Sequence, residues 1–381
     1  MSENGARTVA ADLIYLLSCA VNEEEPAAEI CAAMDIDEVL DFAKKHMVAA
    51  AAAFALEQAL PLPTAWRDAK GTVIRRQIIF EAERAKILKA LEENGVWYVP
   101  LKGIIIKSCY PKPAMREMSD NDILCDPDKM DTVREIMFSL GYSGSRFGET
   151  NHDVYKKKAV SFEMHRSLFL PDKTPVLAEY YETVKDRLVK DEKNRFGYHF
   201  TDEDFYIHLV CHMYKHYVSA GVGLKALLDL YVYNSRKGDS LNRRYLSAEF
   251  DKLEIKAFEH EMRELAFKAF MLQPLSDNER DMLSYLIDSN SFGSYSTMIA
   301  HQLHNDDSVK AKLKYFLGRV FPDKNYLKGY YPTVYRHRIL YPLLVAYRPF
   351  RGLVKKRKVL QSEFNSVREF KRTDSFDPIN K

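Results

Sequence analysis

The sequence is poor in cysteine, and its cysteines follow no pairing pattern. There are five in 381 residues, at positions 19, 31, 109, 125 and 211. An odd number, wide spacing and the absence of C-x-x-C argue against a disulfide framework and against a zinc–cysteine cluster. We therefore expect a protein of the reducing cytoplasm.

Long apolar runs are also missing. The longest charge-free apolar stretches, residues 47 to 56 and 339 to 347, are much shorter than the roughly 20 residues that cross a bilayer. The first apolar stretch contains Asp12 and is followed by three glutamates at residues 23 to 25, a pattern that fits neither a signal peptide nor a transit peptide. We expect neither a membrane span nor export.

Glycine and proline are modest, with 15 of each, which argues against fibrous and disordered classes. The chain is 46% hydrophobic and 29% charged, as in globular proteins, and is long enough for two or three packed units.

The net charge of +2 is unevenly distributed along the chain. Residues 309–381 hold 18 Lys or Arg against 5 Asp or Glu, a charge of +13 that leaves −11 on the rest.

The hydrophobic period divides the chain into four parts. Residues 1–94 have helical spacing, residues 95–200 alternate short strand patterns with helices, residues 201–308 are helical again, and residues 309–381 form a basic extension. The pattern predicts an α+β fold in which a small mixed sheet with flanking helices lies between an N-terminal helical region and a C-terminal helical domain.

The predicted sheet has four strand segments. They are residues 96–101, 118–125, 152–158 and 159–165, and we expect the last two to pair as a hairpin. Asn94-Gly95 should end the preceding helix, and Asp126-Pro127 should begin a helix that stops at Gly141.

Two carboxylates follow each other in the segment MSDNDILC. Strand alternation places Asp120 and Asp122 on one face, where like charges repel and favour a compensating cation. In AVSFEMH, Ser161, Glu163 and His165 share a face. If the two strands are neighbours, three carboxylates converge, as expected of a two-metal site. A D-x-D pair alone is more often a solvated strand face; the whole assembly favours chemistry.

The segments LKGIIIKSCYPKPAMREMSDNDILC and SFEMHRSLF closely resemble the uncharacterised nucleotidyltransferase family of the DNA-polymerase-β-like superfamily. The resemblance covers about residues 95 to 235. It implies a nucleotidyltransferase fold in which Asp120, Asp122 and Glu163 are the catalytic and metal-binding carboxylates, with Mg²⁺ or Mn²⁺ as cofactor.

The same resemblance implies a nucleotide-binding set. Lys102 and Gly103 occupy the phosphate-binding turn, and Arg116 and His165 line the site. One residue departs from the family pattern: Ile104 stands where a small hydroxyl residue usually follows the turn glycine.

The function this implies is metal-dependent transfer of a nucleoside monophosphate from an NTP to an unidentified acceptor, which is a small molecule, a protein or RNA. Glu163 and Asp122 are both candidates to take the acceptor proton, and Glu163 is favoured because a carboxylate that two metals do not fully occupy keeps its basicity. The alternative is a non-catalytic nucleotide-binding or regulatory protein that retains the fold. The Ile104 departure supports this alternative, and the retained Asp120, Asp122 and Glu163 argue against it. A third possibility is a scaffold that works through its basic tail.

Three further patterns have competing explanations. His208, His212 and His216 share one helix face, where cleft lining or core packing is favoured over zinc binding. Asp229 lies in an apolar helix and is expected to be paired. The basic tail, including KKRK at 355–358, either contacts an anionic partner (nucleic acid or a membrane surface), pairs with the acidic remainder, or is simply solvated.

Overall fold

The computed structural model describes residues 8–171, 174–289, 308–322, 327, 332–347 and 367. Five helices come first: α1 (Val9–Asn22), α2 (Ala28–Ala32), α3 (Ile36–Lys45), α4 (Ala49–Ala59) and α5 (Thr64–Glu93). The alanine run of α4 is buried, and this helix packs against α1 and α5. Alanine favours the helix and lets neighbouring backbones approach closely.

The central part alternates strands and helices as predicted, with shorter strands. Its elements are β1 (Tyr98–Pro100), α6 (Gly103–Ile106), β2 (Asn121–Cys125), α7 (Met130–Ser139), β3 (Ser143–Ser145), β4 (His152–Lys157) and β5 (Val160–His165). Short 3₁₀ turns cover Lys107–Cys109, Pro113–Met115 and Pro127–Lys129. The predicted stops are confirmed, since Gly95 and Gly141 adopt positive φ angles of 64° and 83° after α5 and α7.

The later part is mainly helical. It contains α8 (Pro175–Tyr180), β6 (Leu188–Lys190), β7 (Tyr198–Phe200), α9 (Asp202–Tyr217), α10 (Leu224–Lys237), α11 (Arg243–Lys252), α12 (Lys256–Phe270), α13 (Asp277–Ser289), α14 (Val309–Val320) and α15 (Pro332–Arg336). Further 3₁₀ turns cover Val184–Arg187 and Arg338–Leu340. Thr201 caps α9 by accepting a hydrogen bond from the Asp204 N–H. Within the described ranges, no helix is long and apolar enough to cross a bilayer.

Five strands form one mixed sheet in the order β1-β2-β5-β4-β3. Only the central pair β2–β5 is parallel; the other three pairings are antiparallel. The β4–β5 hairpin is present as predicted. Strands β6 and β7 form a separate ribbon. The prediction of an α+β protein with a small mixed sheet and flanking helices is confirmed.

The two faces of the sheet contact different cores. On one face Ile123, Phe162 and Met164 pack with Phe80 and Ile87 of α5 and with residues of α7. On the other face Leu124 joins a larger core that includes the N-terminal helices and α9 to α13. Asp122 and Glu163 lie on this second face, so the carboxylates are directed toward the helices that follow the sheet.

The proposed division at 94, 200 and 308 remains a prediction. The larger core contains residues from both helical parts, and the side chains of Ser18 and Asn22 in α1 donate hydrogen bonds to the Phe270 carbonyl at 2.7 and 2.9 Å. Most of the basic extension, including residues 355–358, lies outside the described residues.

Candidate active site

Asp122 and Glu163 are direct neighbours across the central parallel pair. The register of β2 and β5 places Asp122 opposite Glu163 and Leu124 opposite His165. Neighbouring strands lie about 4.8 Å apart, and side chains at matched positions project from the same face. The sequence-predicted meeting of carboxylates from two strands is therefore present for these two residues.

The Asp122 carboxylate is buried and has two basic partners. Lys102 Nζ lies 2.9 Å and His165 Nε2 lies 2.8 Å from Asp122 Oδ1. Burial alone would raise the pKa of Asp122, but the Lys102 charge and the His165 hydrogen bond outweigh it and hold the pKa well below its usual range. Asp122 is thus the permanently charged member of the site.

Asp120 and Glu163 show the opposite tendency. Asp120 lies just before β2 rather than within it, because the strand begins at Asn121. Burial, followed by the charge of Asp122, raises the pKa of Asp120. Burial, followed by the charges of Asp122 and Asp120, raises the pKa of Glu163 to about 7. Burial and, after it, mutual repulsion therefore disfavour full ionisation of the three carboxylates, and a divalent cation among them would relieve the repulsion.

The Lys102–Gly103 turn joins β1 to α6 beside Asp122. The Leu101 N–H donates a hydrogen bond of 3.0 Å to the Asp122 carbonyl, which fixes the turn against β2. Lys102 has a φ of 51°, a region that non-glycine residues rarely adopt and that is enriched at functional sites. Ile104 is buried in the core behind the sheet, so its position contributes packing.

Arg116 is held by Asp229 of α10. Its Nε lies 2.7 Å from Asp229 Oδ1 and its Nη2 lies 2.7 Å from Oδ2, while Nη1 donates to the Glu117 carbonyl. Tyr110 donates a third contact to Asp229, with its hydroxyl 2.7 Å from Oδ1. The expectation that Asp229 is paired is confirmed. A Cβ added to Gly103 would lie 3.4 Å from Arg116 Nη1, so the guanidinium leaves little room for a larger residue in this turn.

The segment that leads to Asp120 is fixed from several sides. Arg76 Nη2 of α5 donates to the Ser119 carbonyl at 2.7 Å, and Arg84 Nη1 donates to Asn121 Oδ1 at 2.9 Å. The Ala50 N–H donates to Glu117 Oε1 at 2.8 Å. Asp120 is therefore placed between two anchored residues, Ser119 and Asn121, although it lies outside the regular strand.

A pair of histidines lies beside the carboxylates. His152 of β4 is the register partner of His165 of β5, and their ring centroids are 4.8 Å apart. Burial, followed by the neighbouring His165, lowers the pKa of His152 to about 3; burial also lowers the pKa of His165. Both imidazoles are therefore neutral at physiological pH. His152 was missed at the sequence level, although its strand position places it on the same face as Glu163.

Helices α9 and α10 add basic groups. Burial, followed by the charge of Arg116, lowers the pKa of Lys225 in α10 to about 8, while Asp229, Asp120 and Glu117 oppose the shift. Lys225 therefore lies within electrostatic reach of Asp120. The charge of Lys215 in α9 opposes the rise in the pKa of Glu163, so Lys215 also interacts with the carboxylates. No local motif identified these lysines, because they reach the site only through packing of the later helices against the sheet.

Within the part of the chain that the structure describes, the three α9 histidines do not bring one ring nitrogen each within 4.8 Å of one another. The rings of His208 and His212 are 6.4 Å apart, and His208 stacks on Phe200 at 5.7 Å. His212 and His216 contact each other, with their Nε2 atoms 3.2 Å apart. Burial, followed by the charge of Lys102, lowers the pKa of His208 to about 3. The stacking on Phe200 favours core packing for His208. The effect of the Lys102 charge shows that α9 passes close to Lys102.

A cavity of about 410 Å³ lies next to the site rather than over the carboxylates. Arg116, Glu117 and Met118 form one wall, and none of the three acidic site residues lines it. The opposite wall comes from α5 and the N-terminal helices, including Lys44, Thr72, Arg76 and Phe80. The cavity thus adjoins the segment that carries Asp120.

Comparison with known proteins gives one result. The family model described as "Uncharacterised nucleotidyltransferase" matches residues 32–271, which is more than half of the chain and includes all three site carboxylates. No curated protein and no solved structure matches the sequence. The matched range includes helices on both sides of the sheet.

Proposed function

Because the chain belongs to the uncharacterised nucleotidyltransferase family, we propose that it transfers a nucleoside monophosphate from an NTP to an acceptor at Asp120, Asp122 and Glu163. Family membership supports nucleotidyl transfer in general. The observation that carries the specific assignment is the pairing of Asp122 with Glu163 on adjacent parallel strands, with Asp120 close enough to raise the pKa of Glu163.

The donor set fits Mg²⁺ or Mn²⁺. Carboxylate oxygens are the ligands that hard divalent cations prefer, and the mutual repulsion of the three acids favours a cation among them. When bound, such cations supply charge neutralisation for the triphosphate and for the leaving pyrophosphate. We propose Asp120, Asp122 and Glu163 as the metal ligands.

We assign nucleotide binding to Lys102, Gly103, Arg116 and His165. Lys102 neutralises Asp122 in the present structure, and its ammonium is close enough to the carboxylates to contact a phosphate held there. His165 fixes the Asp122 carboxylate through its 2.8 Å contact. Asp229 and the Glu117 carbonyl engage three of the five N–H groups of Arg116, and we expect the other two to contact the triphosphate.

In the reaction the acceptor oxygen forms a bond to the α-phosphorus while the bond from that phosphorus to the pyrophosphate oxygen breaks. The acceptor proton passes to the Glu163 carboxylate. We assign this role to Glu163 because a carboxylate that the two metals do not fully occupy keeps the basicity that proton abstraction needs. Catalysis by the remaining residues is positioning and charge stabilisation.

A labelling experiment tests the proposed transfer and identifies the acceptor. The protein is incubated with each NTP labelled at the α-phosphate, with Mg²⁺ or Mn²⁺, and with panels of sugars, antibiotics, RNA ends and protein acceptors. We expect label transfer by the wild type and its loss in Asp120→Asn and Asp122→Asn. Asp131→Asn, which removes a largely exposed carboxylate from α7, is the matched control and should retain transfer.

The non-catalytic alternative predicts a different outcome. In that case NTPs raise the thermal midpoint of the wild type without any label transfer, and the same aspartate changes abolish the shift. Transfer that persists in both aspartate variants would place the chemistry elsewhere.

A further inference from the structure

Three potential metal ligands lie together on β4 and β5. One ligand atom from each of His152, Glu163 and His165 can be chosen so that all three lie within 4.8 Å of one another. His152 Nε2 is 3.4 Å and His165 Nε2 is 3.7 Å from the same oxygen, Glu163 Oε2. This arrangement follows from the antiparallel register of β4 and β5. His152 lies directly opposite His165, and Glu163 lies two residues before His165 on the same face of β5, diagonally across from His152.

We propose that His152, His165 and Glu163 form a transition-metal site, which shares Glu163 with the proposed magnesium site and takes its other two ligands from histidine. Two imidazole nitrogens and one carboxylate oxygen are a donor set that favours Zn²⁺ or Co²⁺ over Mg²⁺. With metal–ligand bonds of about 2.0 to 2.2 Å, ligand atoms in a tetrahedral site are separated by about 3.3 to 3.6 Å. The distances from Glu163 Oε2 to the two histidine Nε2 atoms, 3.4 and 3.7 Å, are close to that separation.

The hydrogen bonds around His152 prepare it as a ligand. Its Nδ1 lies 3.2 Å from Asn151 Oδ1, which can only accept, so the ring proton is on Nδ1 and Nε2 carries a lone pair. Among the described residues, His152 Nε2 is a buried nitrogen with no hydrogen-bond partner. Support of one imidazole nitrogen by a side-chain oxygen while the other is directed at a cluster is the usual arrangement of metal-bound histidine.

His165 differs from His152 in the metal-free protein. Its Nε2 donates to Asp122 Oδ1 at 2.8 Å, and Asn151 Nδ2 lies 3.4 Å from its Nδ1. A metal on Nε2 would displace the Asp122 contact and leave the single ring proton on Nδ1, so Asn151 Nδ2, itself a donor, would have to move away from Nδ1. Three protein ligands then leave a position for water or a phosphate oxygen, as in open metal sites.

The proposal does not depend on nucleotidyl transfer and is tested without nucleotide. The metal-free protein is titrated with Co²⁺ while its visible d–d absorption is followed, and competition with Zn²⁺ gives the affinity. We expect the intense spectrum of four- or five-coordinate Co²⁺ in the wild type. In His152→Ala and in Glu163→Gln the Co²⁺ affinity should fall at least about tenfold, since changes in second-shell partners alone cost about that much.

Two variants make the test specific. His199→Ala removes a half-exposed histidine that pairs with Asp191 on the β6–β7 ribbon, and it should bind Co²⁺ like the wild type. Asp120→Asn removes a carboxylate that is outside this ligand set, so it should lose nucleotidyl transfer while retaining the Co²⁺ spectrum. Failure of the transferase proposal therefore leaves this one intact, and the reverse also holds.

The result that overturns the proposal comes first from the wild type, so misfolding of a variant cannot obscure it. Only the weak spectrum of fully hydrated Co²⁺ in the folded wild type would reject the site. An unchanged Co²⁺ affinity in both His152→Ala and Glu163→Gln would equally reject this ligand assignment.

Discussion

Removal of the Asp229 carboxylate should destabilise the protein more than loss of any exposed ion pair. Asp229 and Arg116 are 4% and 10% exposed, and Arg116 contacts both carboxylate oxygens at 2.7 Å. In Asp229→Ala the guanidinium remains buried without its counter-charge. Breaking a buried pair by removing one partner costs about 3 to 5 kcal/mol, so we expect a loss of this size in the free energy of unfolding.

Two further variants divide that cost. Tyr110→Phe removes one hydrogen bond to a charged acceptor and should cost about 1.5 to 3 kcal/mol. The double change Arg116→Met with Asp229→Leu removes both charges and replaces them with apolar side chains. It should cost much less than the sum of the single changes, because buried pairs are often replaced at little net cost.

The measurement is unfolding in urea, monitored by circular dichroism. The dependence of the unfolding free energy on urea concentration is compared between variants and wild type to verify that all of them unfold in the same way. Arg236→Ala is the control on the same helix; its partner is Glu23, and the two side chains are 47% and 65% exposed. That change should cost at most about 1 kcal/mol. If Asp229→Ala also stays within 1 kcal/mol of the wild type, the buried-pair reasoning is wrong.

Two more predictions concern the titrating groups. Glu163→Gln should stabilise the metal-free protein at alkaline pH. The pKa of Glu163 in the folded protein, about 7, exceeds its ordinary value of 4.5. The stability that protonated Glu163 contributes to the wild type is therefore fully present below pH 4.5 and is lost as the pH rises through 7. Unfolding at pH 4 and pH 8 should differ between variant and wild type by up to roughly 3 kcal/mol, whereas Glu182→Gln at an exposed position should show no such change. We also expect Lys225 to contact the triphosphate, because it interacts electrostatically with Asp120. Lys225→Met should then raise the KM for NTP roughly 10- to 100-fold. Lys237→Met, on the same helix but paired with Asp202, should leave the KM unchanged, and equal KM values in the two variants would contradict the contact.

Much of the sheet could be predicted from the sequence because its strands have strong local patterns. Alternation in residues 160 to 165 places Phe162 in the core behind the sheet and Glu163 on the other face, as the structure confirms. Strand β3 escaped prediction because Ser143-Gly144-Ser145 carries no hydrophobic pattern and is formed only by pairing with β4.

The site was less predictable because its contacts join distant positions. Asp229 is separated from Arg116 by 113 residues, and Lys225 approaches Asp120 only through the packing of α10. The sequence indicated that Asp229 needed a partner but could not identify Arg116. His152 was recognisable only after the β4–β5 register was known, since that register makes it the partner of His165.

The position of Asp120 depends on both helical parts of the chain. The residues just before it are held by Asp229 of α10, which binds Arg116, and by the Ala50 N–H of α4, which donates to Glu117. The family model, which matches residues 32–271, covers both of these anchors, because the match begins at the last residue of α2 and ends just after α12. Because Asp120 lies outside the regular strand, the sheet hydrogen bonds alone do not fix it. We therefore expect the proposed active site to require the sheet together with α4, α5 and α10, because a fragment limited to residues 95–200 would lack the anchors that hold the segment before Asp120.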